Sequence, residues 1–257
     1  MRYNLLEQYD AQNEYGVLKP EYTVMQSTEA FPEIVLAEFS YQMIQNIVKK
    51  YNGHIINEIQ AVTGNVPIYK FTYNGKDVGI YNTMIGAPAA AACLEDVIQM
   101  GAKKIMFCGE CGVLDKEIAD GKIIIPEVAV RDEGTSYHYY PSSDEIEMDP
   151  HSVEVIESTL SDLKVPYIKG KIWTTDASYR ETVSKVHNRR EMGCIAVDME
   201  CSAMIAVAKL RKVQFAQFVY ACDNLDSDVW DRRGLTYRPI KQKEDFFELA
   251  LACAVRL

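Results

Sequence analysis

Segments with the pattern of buried strands alternate with segments that have the pattern of helices, and this order limits the fold more than any other feature. Residues 77–85 (DVGIYNTMI) resemble a strand after the hairpin signal Asn74-Gly75. Residues 87–101 resemble a helix with Pro88 in its first turn, and residues 103–109 (KKIMFCG) a second strand. Further strands are predicted at 121–130 and 214–222, and further helices at 201–212 and 242–257. This alternation predicts an α/β fold with a sheet covered on both faces.

The composition indicates one globular domain. The chain has 257 residues, 48% of them hydrophobic, and no internal repeat, low-complexity tract or linker divides it, so we expect a single domain, residues 1–257. Its net charge of −10 argues against nucleic acid as a partner, because phosphate backbones require a basic face. No apolar run approaches the roughly 18 residues of a membrane span, and no signal peptide is visible at the start. We therefore expect a cytoplasmic protein with a small-molecule partner and no membrane contact.

Seven cysteines lie in apolar surroundings, which favours buried, reduced thiols over a disulfide framework. Cys108 and Cys111 form a C-x-x-C pair. A structural zinc site needs four ligands and no second pair accompanies this one, so no metal site is predicted. A redox role of the pair stays open, since thiols at this spacing can have a lowered pKa. The preferred interpretation is two small residues in a tight loop.

Three loops that follow predicted strands combine small and polar residues: 84–89 (MIGAPA), 108–114 (CGECGVL) and 222–228 (CDNLDSD). In sheets of this class the ligand binds beyond the strand ends, where such loops converge. Gly86 and Gly109 would let backbone amides approach a ligand, and a helix that begins after Gly86 would direct its positive end at an anion.

Two carboxylates interrupt an otherwise apolar or small stretch at 194–208 (CIAVDMECSAMIAVA): Asp198 and Glu200. Removing an ionised carboxylate from water costs several kcal/mol unless it is paired or hydrogen-bonded. These residues are therefore either satisfied structurally or retained for chemistry.

Taken together, five segments resemble the nucleoside phosphorylase superfamily, which includes purine nucleoside phosphorylases, uridine phosphorylases and nucleosidases. They are 84–114, 121–141, 174–181 (TTDASYRE), 194–208 and 219–224 (VYACDN). The resemblance extends from about Gly79 to Asp223, while the first 50 or so residues match poorly. It implies a three-layer α/β/α sandwich with a mixed, partly barrel-like central sheet, and cleavage of the N-glycosidic bond of a nucleoside.

The resemblance also assigns roles to the two acidic segments. Met199 and Glu200 correspond to residues that line the ribose, with the Glu200 carboxylate accepting hydrogen bonds from sugar hydroxyls. Asp198 is interpreted as structural, hydrogen-bonded to backbone amides at a helix start. Asp223 corresponds to the general acid of purine-cleaving members, which prevents the base from leaving as an anion. An Arg supports that acid in the family, and Arg232, Arg233 and Arg238 are all candidates.

The segment 174–181 corresponds to the base pocket of the family. Thr175, Ser178 and Tyr179 are candidate base-binding residues, with Trp173 as a further aromatic neighbour. Ser178 stands where the family often has Phe, and a smaller side chain there would enlarge the pocket. Stacking on an aromatic ring is the expected contribution of Tyr179.

The phosphate-binding pattern of the family is altered. Phe107 replaces an Arg, Glu110 replaces a Ser or Thr, and residues 28–35 (TEAFPEIV) replace an N-terminal Arg-containing motif. A carboxylate beside phosphate would repel it by on the order of 4 kcal/mol per charge at an effective dielectric near 20. Either water is the acceptor, with Glu110 or Glu29 as general base, or phosphate binds at the Gly86 loop, held by Arg131 or a neighbouring subunit.

Two further expectations follow from the same resemblance. No cofactor is implied, although inorganic phosphate is a possible co-substrate, and the chain is expected to form a homo-oligomer, a dimer or a hexamer. A catalytically silent nucleoside-binding protein is the alternative to an enzyme, because a fold does not by itself confer an activity. The altered phosphate site favours that alternative, and the joint presence of Glu200 and Asp223 opposes it.

Overall fold

The computed structural model describes residues 6–7, 9–10, 16–25, 27, 29–227, 229–235 and 237–257. Strands and helices alternate over much of this part of the chain, as predicted, except that β2, β3 and β4 are consecutive, as are β5 and β6. The strands are β1 (Ile34–Glu38), β2 (His54–Ile59), β3 (Val66–Tyr73), β4 (Lys76–Asn82), β5 (Lys104–Val113), β6 (Ile123–Asp132), β7 (Glu145–Glu147), β8 (Tyr167–Thr175), β9 (Cys194–Asp198) and β10 (Gln214–Asn224). The helices are α1 (Tyr41–Lys50), α2 (Ala87–Met100), α3 (Ser136–Tyr139), α4 (Pro150–Asp162), α5 (Val183–Glu191), α6 (Cys201–Arg211) and α7 (Ile240–Ala254), with 3-10 turns at Pro20–Tyr22 and Ser178–Arg180.

Local sequence signals account for several of these boundaries. Asn74 and Gly75 both have positive φ, 50° and 75°, as a tight turn between β3 and β4 requires. Helix α2 follows Gly86, has Pro88 in its first turn and ends at Gly101, whose φ of 130° no other residue adopts without strain. Ser40 caps α1 by accepting a hydrogen bond from the Met43 amide.

The sheet is mixed and partly closed. Strands β5, β9, β8, β6 and β10 pair in that order, and β10 also pairs with β5, so these five strands form a barrel. From β5 the sheet continues as an open wing through β1, β4, β3 and β2, while β7 pairs with β6. Both parallel and antiparallel pairs occur, which confirms the predicted mixed sheet.

Helices flank the sheet in two groups. Helix α7 contacts both α1 and α4, and α6 contacts both α2 and α3. Helix α6 is buried from Cys201 through Ala208, all round its circumference, which explains its uniformly apolar and small sequence. The predicted α/β fold with helices on both sides of the sheet is confirmed. None of the helices in the described part of the chain combines the length and apolar character of a membrane span.

The prediction of a loop at residues 108–114 is wrong. Strand β5 continues to Val113, because it pairs first with β10 and then with β9 where the barrel closes. Cys108 and Cys111 are three positions apart on this strand, so their side chains point to opposite faces. Both are buried, and burial raises the pKa of both thiols well above the usual value. These features oppose a redox role for the pair.

Candidate active site

A cavity of about 820 Å³ lies where the carboxyl-terminal parts of β1, β5, β9 and β10 meet. Six of the nine predicted site residues line it: Glu110, Ser178, Tyr179, Met199, Glu200 and Asp223. The barrel closure brings these distant parts of the chain together. The two carboxylates on which the predicted chemistry depends, Glu200 and Asp223, therefore face one shared cavity.

Glu200 lies in the turn between β9 and α6, where it is the N-cap residue of the helix. Its Oε1 accepts a hydrogen bond of 2.6 Å from the amide of Gly86, which precedes α2. The positive end of α2 thus contacts a carboxylate of the protein itself. Burial and the nearby charge of Asp198 raise the pKa of Glu200. Hydroxyl donors from a bound ligand would favour its ionised form.

Asp198 is held by the protein on both carboxylate oxygens. Its Oδ1 accepts from Thr174 Oγ1 at 2.8 Å, and its Oδ2 accepts from the Cys201 amide at 2.9 Å and from Gln217 Nε2 at 3.2 Å. Burial nevertheless raises the pKa of Asp198. This geometry supports the structural interpretation of Asp198, in which it fixes the start of α6 and therefore the position of Glu200.

Asp223 belongs to the last part of β10 and forms, with Glu181 and Trp230, what we term the Asp223 group. Trp230 Nε1 donates a hydrogen bond of 2.7 Å to Asp223 Oδ2. Glu181 also lines the cavity, and burial together with the Asp223 charge raises its pKa to about 7. Glu181, whose pKa lies near neutral pH, is therefore a second carboxyl group close to Asp223, the predicted general acid.

None of the three candidate arginines hydrogen-bonds to Asp223 in the described part of the chain. Arg232 lies 5.0 Å from the centre of the Trp230 ring, whose Nε1 donates to Asp223. Arg233 donates to the backbone carbonyls of Ile118 and Lys116. Arg238 donates to Asp120 at 2.5 Å and to a backbone carbonyl of β10. The indole of Trp230, and not an arginine, donates the hydrogen bond to Asp223.

A second set of ionisable side chains, which we term the Glu38 group, consists of Glu38, Glu110, Tyr220 and Lys243, and all four line the cavity. Glu38 ends β1, is 3% exposed, and accepts from the Ser40 amide at 3.3 Å. Burial raises the pKa of Glu38 to about 8. Lys243 Nζ lies 3.2 Å from Glu110 Oε1, so an ion pair joins α7 to β5.

Three predicted site residues do not line the cavity. Gly86 acts through its amide, which binds Glu200. Gly109 lies within β5, where a Cβ would come within 2.8 Å of the Phe39 ring, so its small size serves packing. Thr175 is buried, and its hydroxyl accepts from the Ala177 amide at 3.3 Å. The loop geometry expected for Gly109 is therefore wrong, whereas the base-binding role of Thr175 stays a prediction that its place outside the cavity lining does not favour.

Other candidates named from the sequence lie elsewhere. Trp173 is fully buried in β8 and donates to Asp132, so it packs in a small separate core.

Glu29 binds His54 at 2.7 Å and Lys70 at 2.9 Å, away from the cavity lining. Arg131 is buried against Ser136, Ser143 and backbone carbonyls, which occupy its guanidinium. Neither Glu29 as a base nor Arg131 as a phosphate ligand fits this structure. Thr28 and Asp228, which belong to the predicted segments 28–35 and 222–228, lie outside the described residues.

Glu38, Glu181, Trp230 and Lys243 were not identified from the sequence. Glu38 had a usable signal, because it is the acid that ends the apolar run IVLAE, at a strand end of the kind where ligands bind. Glu181 is the last residue of TTDASYRE. Trp230 and Lys243 carry no local signal, since only the chain path after β10 brings them to the cavity.

Among the described residues, no three His, Cys, Asp or Glu side chains are grouped as a metal site would require.

Comparison with known proteins identifies the family of this fold. The family model described as "Phosphorylase superfamily" matches residues 34–257, a longer stretch than the resemblance from Gly79 to Asp223. A guanosine phosphorylase from Halorubrum lacusprofundi is 28% identical over 157 residues, which are 60% of this chain and 64% of that protein. The chain thus spans somewhat less than two thirds of the length of this relative.

Two solved structures share the fold. A purine nucleoside phosphorylase from Toxoplasma gondii superposes with a TM-score of 0.74 at 18% identity, over 88% of this chain and 92% of that one. A uridine phosphorylase from Vibrio fischeri gives a TM-score of 0.73 at 23% identity, over 92% and 93%. Because the family model covers most of the sequence and the same fold is found in both structures, this chain belongs to the phosphorylase superfamily.

Proposed function

We propose that this protein cleaves the N-glycosidic bond of a nucleoside, with a purine as the preferred base. The observation that carries the proposal is the shared cavity of Glu200 and Asp223. One carboxylate can anchor a sugar there while the other acts on the departing base. The cavity volume of about 820 Å³ is in the range of small-molecule sites.

In this proposal Glu200 binds the sugar. Its Oε1 is fixed by the Gly86 amide, so the carboxylate is oriented before the ligand arrives. Sugar hydroxyls supply the additional donors that a buried carboxylate needs. Met199, the preceding residue, lines the same cavity and provides an apolar surface for the ribose.

Asp223 acts on the leaving base. C–N cleavage builds positive charge on the sugar and negative charge on the base, so a proton or hydrogen bond delivered to purine N7 stabilises the transition state. The indole of Trp230 holds the Asp223 carboxyl in place. Ser178 and Tyr179 line the cavity and are the proposed contacts of the base, with Tyr179 fully exposed in a single chain. The similarity to a guanosine phosphorylase supports a purine.

We further propose that the protein is a cytoplasmic homo-oligomer, dimer or hexamer, which uses no cofactor. Three apolar side chains at the rim of the cavity support an oligomer, because Ile85 and Val183 are each 71% exposed and Tyr179 is wholly exposed. Size-exclusion chromatography with light scattering tests this, and a monomer at micromolar concentration would contradict it.

The activity is tested by incubating the purified protein with guanosine, inosine, adenosine and uridine, each with and without inorganic phosphate. Chromatography of the free base gives the rate. Purine release that is lost in the Glu200→Ala and Asp223→Ala variants supports the proposal. Binding of nucleosides without release of base under either condition would instead identify a catalytically silent binding protein.

A further inference from the structure

The charge of the cavity lining bears on which molecule accepts the sugar. Six carboxyl side chains and a single amine are found among the described residues that line it. The carboxyl groups are Glu38, Glu110, Glu181, Asp198, Glu200 and Asp223, and the amine is Lys243. A neutral nucleoside can enter such a cavity, whereas those carboxyl groups of the lining that are ionised repel a phosphate dianion.

The two cations near the Glu38 group pair with carboxylates, although Arg238 Nε and Nη1 are buried without a hydrogen-bond partner in the described part of the chain. Lys243 Nζ lies 3.2 Å and Arg238 Nε 3.6 Å from the same oxygen, Glu110 Oε1, and Arg238 also binds Asp120. A phosphate ion would have to displace Glu110 from both cations. Carboxylate at position 110 is an acceptor only, so it offers phosphate no hydrogen bond in return.

These ion pairs leave hydrogen-bonding capacity unused. Glu110 Oε1 is buried, and no donor in the described part of the chain is aligned to make a hydrogen bond to it despite the two nearby cations. Buried polar atoms in folded proteins are normally satisfied by protein or by ordered water. A cavity of this size has room for water beside the polar side chains of the Glu38 group.

Glu38 complements this acceptor. It is 3% exposed, and the groups that face it are Glu110 and Cys108 from β5, Tyr220 from β10 and Lys243 from α7. Because burial raises its pKa to about 8, Glu38 is mostly protonated at neutral pH. A protonated Glu38 offers a donor near the buried acceptor Glu110 Oε1, and a single water molecule can hydrogen-bond to both.

We propose that water is the acceptor, that Glu110 is its general base, and that Glu38 positions it, so that the protein is a nucleoside hydrolase. This inference rests on the proposed glycosidic cleavage and specifies its second substrate. The water oxygen forms a bond to C1′ as the bond from C1′ to the base nitrogen breaks, and the bonding electron pair leaves with the base. Glu110 takes the proton of the water and Asp223 delivers one to the base. The products are the free sugar and the free base, and solvent restores both carboxyl groups.

The test is carried out on the full-length protein with its best purine nucleoside in water enriched in oxygen-18. The expected result is release of base in phosphate-free buffer, with one oxygen-18 atom in the sugar and no stimulation by 10-fold excess phosphate over nucleoside. Release that requires phosphate and yields a sugar phosphate would overturn the hydrolase inference while leaving glycosidic cleavage intact. Absence of release under both conditions would overturn the cleavage proposal as well.

Variants test the assignment of the base. Glu110→Gln keeps the size of the side chain but cannot take a proton, so kcat should fall about 100-fold or more with KM changed less than about threefold. Glu38→Gln keeps a neutral donor and should stay within about tenfold of the wild type. Glu154→Gln, an exposed site on α4, is the matched control and should leave kcat unchanged.

Thermal unfolding establishes that the Glu110→Gln variant is folded, and oxygen-18 incorporation by its residual activity provides a second readout. An unchanged kcat for Glu110→Gln would exclude Glu110 as the base. Loss of activity in Glu38→Gln equal to that in Glu110→Gln would instead mean that Glu38 works as the ionised base.

Discussion

Replacing Glu38 by Gln should change the pH dependence of stability, because this carboxyl is buried at the end of β1. Its pKa is about 8 in the folded chain against 4.5 for the ordinary group. A carboxyl group whose pKa is higher in the folded than in the unfolded protein contributes its full stabilisation at pH values below the unfolded pKa. This contribution is lost as the pH rises through the folded pKa. Each pH unit in this window corresponds to about 1.4 kcal/mol. Between pH 5.5 and 8.0, both above the pI of 5.0, the wild type should lose on the order of 3 kcal/mol from Glu38 alone.

Gln cannot ionise, so the Glu38→Gln variant escapes this loss. Urea unfolding of both proteins at the two pH values gives the free energies of unfolding by linear extrapolation. The variant should gain about 3 kcal/mol relative to the wild type as the pH rises from 5.5 to 8.0. The exposed Glu154→Gln variant controls for the general loss of a negative charge. A difference between wild type and Glu38→Gln that is the same at both pH values would show that Glu38 is ionised in the folded protein throughout.

The remaining predictions concern the Asp223 group and the packing of β5. Asp223→Asn should bind nucleoside with an unchanged KM but release purine at least about tenfold more slowly, about 1.4 kcal/mol in the barrier, and an unaltered kcat would remove Asp223 from the acid role. Trp230→Phe retains a ring but loses the 2.7 Å hydrogen bond to Asp223, so kcat should fall about fivefold, for a bond worth about 1 kcal/mol; an equal loss with Trp230→His, which keeps a ring N–H, would mean that packing and not the donor matters. Gly109→Ala should lower the unfolding free energy by about 1–3 kcal/mol, because its Cβ would lie 2.8 Å from the Phe39 ring. Gly134→Ala, where the nearest atom is 3.9 Å away, is the control in the same unfolding assay, and equal effects of the two substitutions would contradict the packing explanation.

The sequence by itself determined the class of fold and the location of several turns. The period of the apolar residues and the Gly and Pro signals at Gly75, Gly86, Pro88 and Gly101 act over a few residues, so they can be interpreted locally. The acid at position 200 was also visible locally, because a carboxylate in a run of small apolar residues requires a specific partner.

Tertiary structure decided which polar residues share the cavity. The barrel closes only when β10 pairs with β5 and β9 crosses its end, and this pairing converts the expected loop at 108–114 into strand. The same closure brings Trp230 to Asp223 and Lys243 to Glu110. No local sequence pattern indicates either contact. Local chemistry fixes where a chain turns, whereas long-range strand pairing fixes which side chains meet, because pairing depends on the burial of the whole sheet.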